Sequence, residues 1–168
     1  EPTMLARTMH ILLVEDDEIQ AEAILRASHR HQLPTNFTIV TDGLAALELL
    51  QAKPNGATRL RPNLILLDLN MPRMGGREVL AYLKTDDHFK TIPVVILTTS
   101  ASEADVEECY RLAANCYLKK PVELDDFERL VKSINDFWLA MAKLPQNDPL
   151  GAKLEQVSQK FSLMAHPR

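Results

Sequence analysis

The hydrophobic and polar positions of this 168-residue chain form two kinds of segment. Short runs that are apolar at nearly every position predict strands covered on both faces of a sheet. Longer segments with apolar residues at three- and four-residue steps predict helices. The predicted strands span 10–14, 37–41, 64–67, 93–98 and 116–119. The predicted helices span 19–30, 44–50, 77–84, 106–113 and 124–141.

Strict alternation of five strands with five helices predicts an α/β fold. Its sheet is doubly wound and parallel, with helices on both faces because the crossovers are right-handed. In such sheets ligands bind at the carboxyl edge of the strands. Polar residues follow most of the predicted strands, and we expect them to converge there. They are Glu15, Asp16, Asp68, Thr98 and Lys120.

Composition excludes several classes of protein. A formal net charge of −4 gives no electrostatic footprint for nucleic acid. No stretch is long and apolar enough to span a bilayer, and no signal peptide is evident at the start. The two cysteines, Cys109 and Cys116, lack metal or redox spacing and are expected to be small core thiols in a reducing compartment. The expected location is the cytoplasm.

The length favours one domain with short extensions. We expect a leader at 1–9, a domain at 10–144 and a tail at 145–168. The tail contains helix-breaking prolines but also apolar residues at roughly helical steps, so a short docking helix and a frayed end both fit it. No second compact domain fits in the remaining length, which predicts an output through protein contact.

Three acidic residues at one edge predict a site for a hard divalent cation, because carboxylates brought together repel each other. Mg²⁺ needs only one or two protein carboxylates and keeps several waters. We expect Asp16 and Asp68 to bind the ion directly, with the backbone carbonyl of Asn70 as a third ligand. Glu15 would act through water.

A carboxylate, a cation, an ammonium group and a hydroxyl together predict an acceptor for a phosphoryl group. Asp68 would be the nucleophile that forms an aspartyl-phosphate. Lys120 would hold the phosphoryl oxygens with Mg²⁺, and Thr98 would donate a hydrogen bond to one of them. Considered alone, Asp68 is equally well explained as a cap of the helix that follows it.

Four groups of residues resemble the receiver domain of bacterial response regulators, over residues 10–144. They are 14–17 (VEDD), 68–72 (DLNMP), Thr98 after 94–97 (VVIL), and 117–121 (YLKKP). Segments 67–72, 97–100, 115–117 and 136–139 resemble a narrower group, the cyanobacterial phytochrome response regulators. The resemblance implies a flavodoxin-like sheet of order 2-1-3-4-5, phosphorylation of Asp68, and a histidine kinase as partner, here a phytochrome.

The resemblance also implies how the domain switches. The hydroxyl of Thr98 would move toward the phosphoryl group, and the ring of Tyr117 would turn inward behind it. It implies a cis peptide bond before Pro121, a bond type that X–Pro sequences tolerate. Two departures from the family pattern concern loop geometry. Ala114 stands where many receivers have glycine, and Gly75 replaces a common acidic residue.

The last predicted helix is more apolar than one core-facing stripe requires. We interpret the surplus as an interface, since buried aromatic residues often anchor contacts. The candidate interface residues are Phe137, Trp138 and Met141. The family resemblance favours a homodimer through this helix and the fifth strand, without membrane or nucleic acid as partner.

A second hypothesis is a magnesium-dependent phosphatase or phosphotransferase with an aspartyl-phosphate intermediate. Such enzymes usually carry a second aspartate two residues after the nucleophile as general acid. That position is Asn70, which cannot do acid–base work. The signalling hypothesis is therefore preferred, with at most slow self-hydrolysis of the phosphoryl group. A flavin-binding domain of the same architecture would need a phosphate-cradling loop after the first strand, which is missing.

Overall fold

A computed structural model gives the fold of the chain, and it describes residues 8–30, 35–53 and 60–145. Residues 1–7 of the predicted leader and 146–168 of the predicted tail therefore lie outside the described residues. The first strand begins at Met9, one residue before the predicted start of the domain. The two predictions for the tail both stay open.

Strands and helices alternate along the described part of the chain as predicted. The strands are β1 (Met9–Val14), β2 (Thr35–Val40), β3 (Leu64–Leu67), β4 (Val94–Thr98) and β5 (Cys116–Lys119). The helices are α1 (Glu18–Arg30), α2 (Gly43–Gln51), α3 (Gly76–Thr85), α4 (Glu103–Arg111) and α5 (Leu124–Ile134).

The five strands form one parallel sheet in the order β2-β1-β3-β4-β5. This confirms the predicted doubly wound sheet and its strand order. The order reverses between β1 and β3, which makes their carboxyl ends the topological switch point of the sheet. Val14 and Leu67 are paired there as the last residues of the two strands. Residues that follow β1 and β3 are therefore brought side by side.

The inner strands are buried on both faces, which explains why their sequences lack polar alternation. Successive side chains point to opposite sides of the sheet and enter two separate apolar layers. One layer contains α2, α3 and α4 with Leu12, Val14, Ile65, Leu67, Val94 and Ile96. The other contains α1 and α5 with Ile11, Leu13, Leu64, Leu66, Val95 and Leu97.

The last helix differs from the single helix predicted over 124–141. The α-helical part ends at Ile134, and Asn135–Met141 continue as a π-helix. The backbone N–H of Ala142 donates to the carbonyl of Phe137 at 2.7 Å, five residues back. The change begins at Asn135, which is buried and donates from its amide to Ser28 Oγ at 3.3 Å. Apolar spacing could not predict this, because it records which face is buried and not the hydrogen-bond step.

The two cysteines are free thiols, as the sequence predicts. Cys109 is buried and Cys116 is half-buried, and burial raises the pKa of both thiols. No helix within the described ranges is long and apolar enough to cross a membrane.

The turn from α4 into β5 contains one alanine in a conformation that favours glycine. Ala113 has φ 69°, and its N–H donates to the carbonyl of Tyr110 at 3.0 Å. The N–H of Ala114 donates to the carbonyl of Cys109 at 3.0 Å, which completes a Schellman motif. The residue in the left-handed conformation is thus Ala113 and not its neighbour Ala114. An L side chain with this φ costs about 1–2 kcal/mol.

We expect Ala113→Gly to raise the free energy of unfolding by about 1 kcal/mol, because glycine adopts a positive φ without strain. Urea denaturation followed by circular dichroism measures the change. Ala114→Gly is the matched control, since it makes the same exchange at a buried residue whose φ is not positive. It should lower the free energy of unfolding. Equal stabilisation by both variants would contradict the account of this turn.

Candidate functional site

Four of the predicted site residues lie together at the carboxyl edge of the sheet. They are Glu15, Asp16, Asp68 and Lys120. The N–H of Glu15 donates to the carbonyl of Val40 at 3.0 Å, and that of Asp68 donates to Val14 at 3.1 Å. These bonds continue the sheet hydrogen bonding one residue past β1 and β3. The N–H of Lys120 does the same past β5, donating to the carbonyl of Thr98 at 2.7 Å. Sheet register therefore fixes the backbone positions of Glu15, Asp68 and Lys120.

Three carboxylates form a cluster at this edge. Oxygen atoms of Glu15, Asp16 and Asp68 all lie within 4.8 Å of one another. Glu15 and Asp68 are buried, whereas Asp16 is exposed. The neighbouring Asp17 has a different task, since its Oδ1 accepts the backbone N–H groups that open α1. The cluster thus combines two buried acidic groups with one that faces solvent.

Lys120 is the cation of this cluster. Its side chain is 3% exposed, and its Nζ donates to Glu15 Oε2 and to Asp68 Oδ2, the second at 3.1 Å. A buried ammonium group requires such partners, because an unpaired buried charge is strongly unfavourable. One ammonium group nevertheless faces three carboxylates. The cluster keeps an excess of negative charge that a second cation would offset.

The pKa of Glu15 responds to this environment. It is raised to about 7, chiefly because the carboxyl is buried and to a smaller extent because of the negative charge of Asp68. The hydrogen bond and the charge of Lys120 act in the opposite direction. A cation placed beside the cluster would favour the charged carboxylates. The oxygen donors and their excess charge therefore fit a hard divalent ion such as Mg²⁺.

Thr98, the last residue of β4, is completely buried. Among the described residues its Oγ1 has no hydrogen-bond partner. A buried hydroxyl without a partner costs about 1–3 kcal/mol. Such a group suits a site where a ligand oxygen arrives later and accepts its hydrogen bond.

Asn70 follows Asp68 closely, and its backbone N–H donates to Asp68 Oδ1 at 3.2 Å. This bond holds its backbone beside the carboxylate, while its side chain faces solvent. The helix after β3 begins only at Gly76, with Gly75 as its N-cap. Asp68 therefore does not cap α3, and the alternative explanation of this aspartate is wrong.

Gly76 lets the start of α3 lie directly against the backbone of Asp68. A Cβ at this position would lie 2.1 Å from the carbonyl oxygen of Asp68 and 2.7 Å from the Cα of Leu69. Its N–H donates to the carbonyl of Leu69 at 3.0 Å. The end of the β3–α3 loop thus packs directly against the backbone of its first residues. Gly75 has ordinary space around it, since a Cβ there would lie 3.6 Å from the carbonyl oxygen of Leu69.

Tyr117 connects to the loop after β4, on the side of Thr98. Its ring is half-buried against the apolar layer of α2, α3 and α4, and its hydroxyl donates to the carbonyl of Ser100 at 2.9 Å. Burial raises the pKa of Tyr117. Ser100 Oγ donates to Asp105, which also forms an ion pair with Arg77 of α3. Hydrogen bonds therefore link β5, the β4–α4 loop and α3.

Two further features complete the comparison with the sequence. The peptide bond before Pro121 is trans, since no cis bond occurs in the described residues, and the expected cis bond is wrong. Trans is the lower-energy form of an X–Pro bond by about 0.5–1 kcal/mol.

Phe137, Trp138 and Met141 lie on the π-helical segment after α5, apart from the acidic cluster. Phe137 and Met141 are exposed, and Trp138 is half-buried.

Sequence reasoning missed the residues that support this site. Asp42 looks like a turn residue, yet it caps α2 and forms an ion pair with Arg73 of the β3–α3 loop. The Asp42–Gly43 pair is a usable signal for a helix start, since aspartate is a preferred N-cap. No signal in the sequence pairs Asp42 with Arg73, 31 residues away.

Comparison with known proteins agrees with this geometry. Residues 11–134 match the family described as the response regulator receiver domain. The response regulator Rcp1 of Synechocystis sp. is 44% identical over 135 residues, which cover 80% of this chain and 92% of Rcp1.

Two solved structures are also similar. The phosphorylated cyanobacterial phytochrome response regulator RcpA superposes with a TM-score of 0.79 and 41% identity, over 83% of this chain and 100% of RcpA. The Mn²⁺-bound form of Rcp1 has a TM-score of 0.76 and 43% identity, over 82% of this chain and 99% of Rcp1.

The family match reaches from within β1 to the last residue of α5, and so contains most of β1, the other four strands and the whole acidic edge. The two similar structures each superpose on more than four-fifths of the chain. Proteins of this family act in two-component signalling, where they interact with histidine kinases. The chain therefore belongs to the response regulator receiver domain family.

Proposed function

We propose that Asp68 is the phosphoacceptor of this receiver domain. The observation that carries the proposal is the position of its carboxylate, 3.1 Å from the buried ammonium group of Lys120 and within the acidic cluster. Aspartate in such a site can act as a nucleophile toward phosphorus. The domain boundaries proposed from the sequence, 10–144, agree with this assignment because all groups of the site lie within them.

The phosphoryl group would come from a phosphohistidine of a sensor kinase. An Asp68 oxygen attacks phosphorus, the P–O bond forms as the P–N bond breaks, and the leaving imidazole nitrogen keeps the electron pair and takes up a proton. Lys120 holds a phosphoryl oxygen, exchanging part of its contact with Glu15 for the new anion. Thr98 donates to another oxygen, which gives its buried hydroxyl the partner it lacks.

Mg²⁺ is the proposed metal ion. Asp16 and Asp68 would hold it directly, the backbone carbonyl of Asn70 would be a third ligand, and Glu15 would act through water. When bound, the ion supplies positive charge against the phosphoryl oxygens. The acidic cluster supports the proposal, and so does the similar structure of Rcp1, which is of an Mn²⁺-bound form. A site that keeps an exposed carboxylate and waters suits the small, strongly hydrated Mg²⁺.

Phosphorylation would act as a switch rather than as a step of an enzyme cycle. The proposed switch residues are Thr98 and Tyr117. Thr98 lies two residues before Ser100, whose carbonyl accepts the hydrogen bond of the Tyr117 hydroxyl. Asn70 stands where an aspartyl-phosphate phosphatase would carry a general acid, and the alternative enzyme function is not favoured. At most, slow self-hydrolysis of the phosphoryl group is expected.

The proposed partner is a histidine kinase of the phytochrome type, because RcpA is described as a phytochrome response regulator and shares 41% identity with this chain. We place the protein in the cytoplasm, where its free thiols would stay reduced. No nucleic-acid partner is proposed, since the net charge of −4 gives no basic surface in excess.

We also propose a homodimer through the last helix and β5. Phe137 is 52% exposed and Met141 is 75% exposed on the π-helical segment. The rings of Phe137 and Trp138 form a T-shaped pair whose centroids lie 5.2 Å apart. The strand β5 is the outermost strand of the described sheet, and an outer strand offers unpaired backbone groups. Exposed apolar side chains mark protein–protein contact sites more often than a random surface does.

Incubation with Mg²⁺ and acetyl phosphate tests the phosphoacceptor. Intact mass spectrometry should show one added phosphoryl group, and none after Asp68→Asn or after chelation of the metal. Asp17→Asn is the matched control, because asparagine preserves the cap of α1 while removing a neighbouring carboxylate. It should still take up one group. Stable uptake by Asp68→Asn would refute the assignment.

Sedimentation velocity tests the homodimer. The double substitution Phe137→Ser with Met141→Ser should shift the protein toward the monomer, because it removes exposed apolar surface from the proposed interface. Ile19→Ser is the control, since Ile19 is 80% exposed but lies on α1. A monomeric wild-type protein, or equal shifts from both changes, would contradict the interface.

A further inference from the structure

The loop after β3 contains a strained turn centred on Arg73. Arg73 has φ 63°, and the N–H of Met74 donates to the carbonyl of Pro72 at 2.7 Å. This is a γ-turn with a positive central φ, the rare and strained form of that turn. Residues other than glycine seldom occupy this conformation. Something outside the turn must therefore stabilise it.

The side chain of Arg73 provides that stabilisation. Its Nε and Nη2 both donate to Asp42 Oδ2, at 3.0 and 2.8 Å. The other oxygen of Asp42 accepts the N–H of Ala45 at 2.8 Å and caps α2. The Ala45 amide and the Arg73 guanidinium hold the pKa of Asp42 below its usual range, so this carboxylate stays charged. The pair joins the start of α2 to the β3–α3 loop.

The next residue, Gly43, reinforces this contact. A Cβ on Gly43 would lie 2.4 Å from the carbonyl oxygen of Met74 and 2.7 Å from Val79 Cγ2. Only glycine lets α2 begin so close to the loop. Asp42 therefore holds the turn at Arg73 through its charge. The next residue, Gly43, lets α2 lie against the same turn because it has no side chain.

The position of the turn gives this contact a functional meaning. Arg73 lies three residues after Asn70, whose backbone is bonded to the Asp68 carboxylate. Gly76 closes the other end of the loop on Leu69. The β3–α3 loop, which contains the proposed metal ligand Asn70, is thus held by hydrogen bonds at both ends. The Arg73–Asp42 pair holds it near the middle.

We propose that the Arg73–Asp42 ion pair is a positioning pair that holds the β3–α3 loop in the geometry required to bind the divalent cation. The inference rests on the proposed function, because it concerns the same metal site. Neither residue touches the reacting atoms. Their effect passes through the backbone of the loop.

Mn²⁺ binding to the whole chain tests the inference without measuring phosphorylation. Titration followed by the electron paramagnetic resonance of free Mn²⁺ gives the dissociation constant. Arg73→Ala should raise it about fivefold, the size expected for a partly exposed ion pair. The direction of the change in the dissociation constant separates a positioning role from a purely electrostatic one. Loss of a positive charge near a cation site would, through charge alone, tighten binding. Unchanged or tighter binding in Arg73→Ala would overturn the inference.

Two further variants separate the side chain from the backbone. Arg73→Gly relieves the strain of the positive φ but lacks the guanidinium, and it should also weaken binding; wild-type affinity would show that the backbone alone suffices and would overturn the pair. Asp42→Asn keeps the cap of α2 and removes the charge. It should weaken binding as Arg73→Ala does, and the double variant should be no weaker than either. Additive losses would overturn the pair.

Arg111→Ala is the matched control, because Arg111 is equally cationic and forms a surface pair with Glu107 on α4. It should leave the dissociation constant unchanged, and a fivefold increase there would overturn a specific role for Arg73. A wild-type protein that binds no Mn²⁺ would overturn the proposed metal site and the inference together. Normal wild-type binding with unaffected Arg73 variants would overturn the inference alone.

Discussion

The buried ammonium group of Lys120 allows two buried carboxylates to share the edge of this sheet. It bonds to Glu15 and Asp68, residues 105 and 52 positions away in the chain. Removing one partner of such a buried pair typically costs about 3–5 kcal/mol, since the remaining charge is left uncompensated. The contact exists only because β5 and the ends of β1 and β3 reach the same edge. The fold and the chemistry therefore depend on the same interaction.

This interaction also explains how the site can change. The ammonium group holds both carboxylates while the hydroxyl of Thr98 has no partner among the described residues. A phosphoryl group on Asp68 would add an anion that both Lys120 and Thr98 can contact. Two residues beyond Thr98, the carbonyl of Ser100 accepts the hydroxyl of Tyr117. A movement at Thr98 on phosphorylation, as proposed, would thus have a short covalent and hydrogen-bonded route to Tyr117 of β5.

The sequence predicted the fold, and it predicted that acidic residues would gather at one edge of the sheet, for a physical reason. Uninterrupted apolar runs predict parallel strands whose carboxyl ends lie at one edge, so Glu15 and Asp68, which directly follow two such runs, could be placed at that edge without coordinates. Features set by distant contacts escaped prediction. The pairing of Arg73 with Asp42 joins two loops that no periodicity relates. The π-helical segment begins at buried Asn135, which donates a hydrogen bond to Ser28 of α1. The positive φ of Ala113 depends on how α4 ends.

The most direct test of the central claim is a crystal structure of the protein with Mn²⁺ and beryllofluoride, a stable mimic of the phosphoryl group. We expect beryllium bonded to an oxygen of Asp68, Mn²⁺ beside Asp16, and fluorine atoms contacted by Lys120 Nζ and Thr98 Oγ1. Beryllofluoride on another side chain, or on Asp68 with Lys120 and Thr98 out of contact, would contradict it.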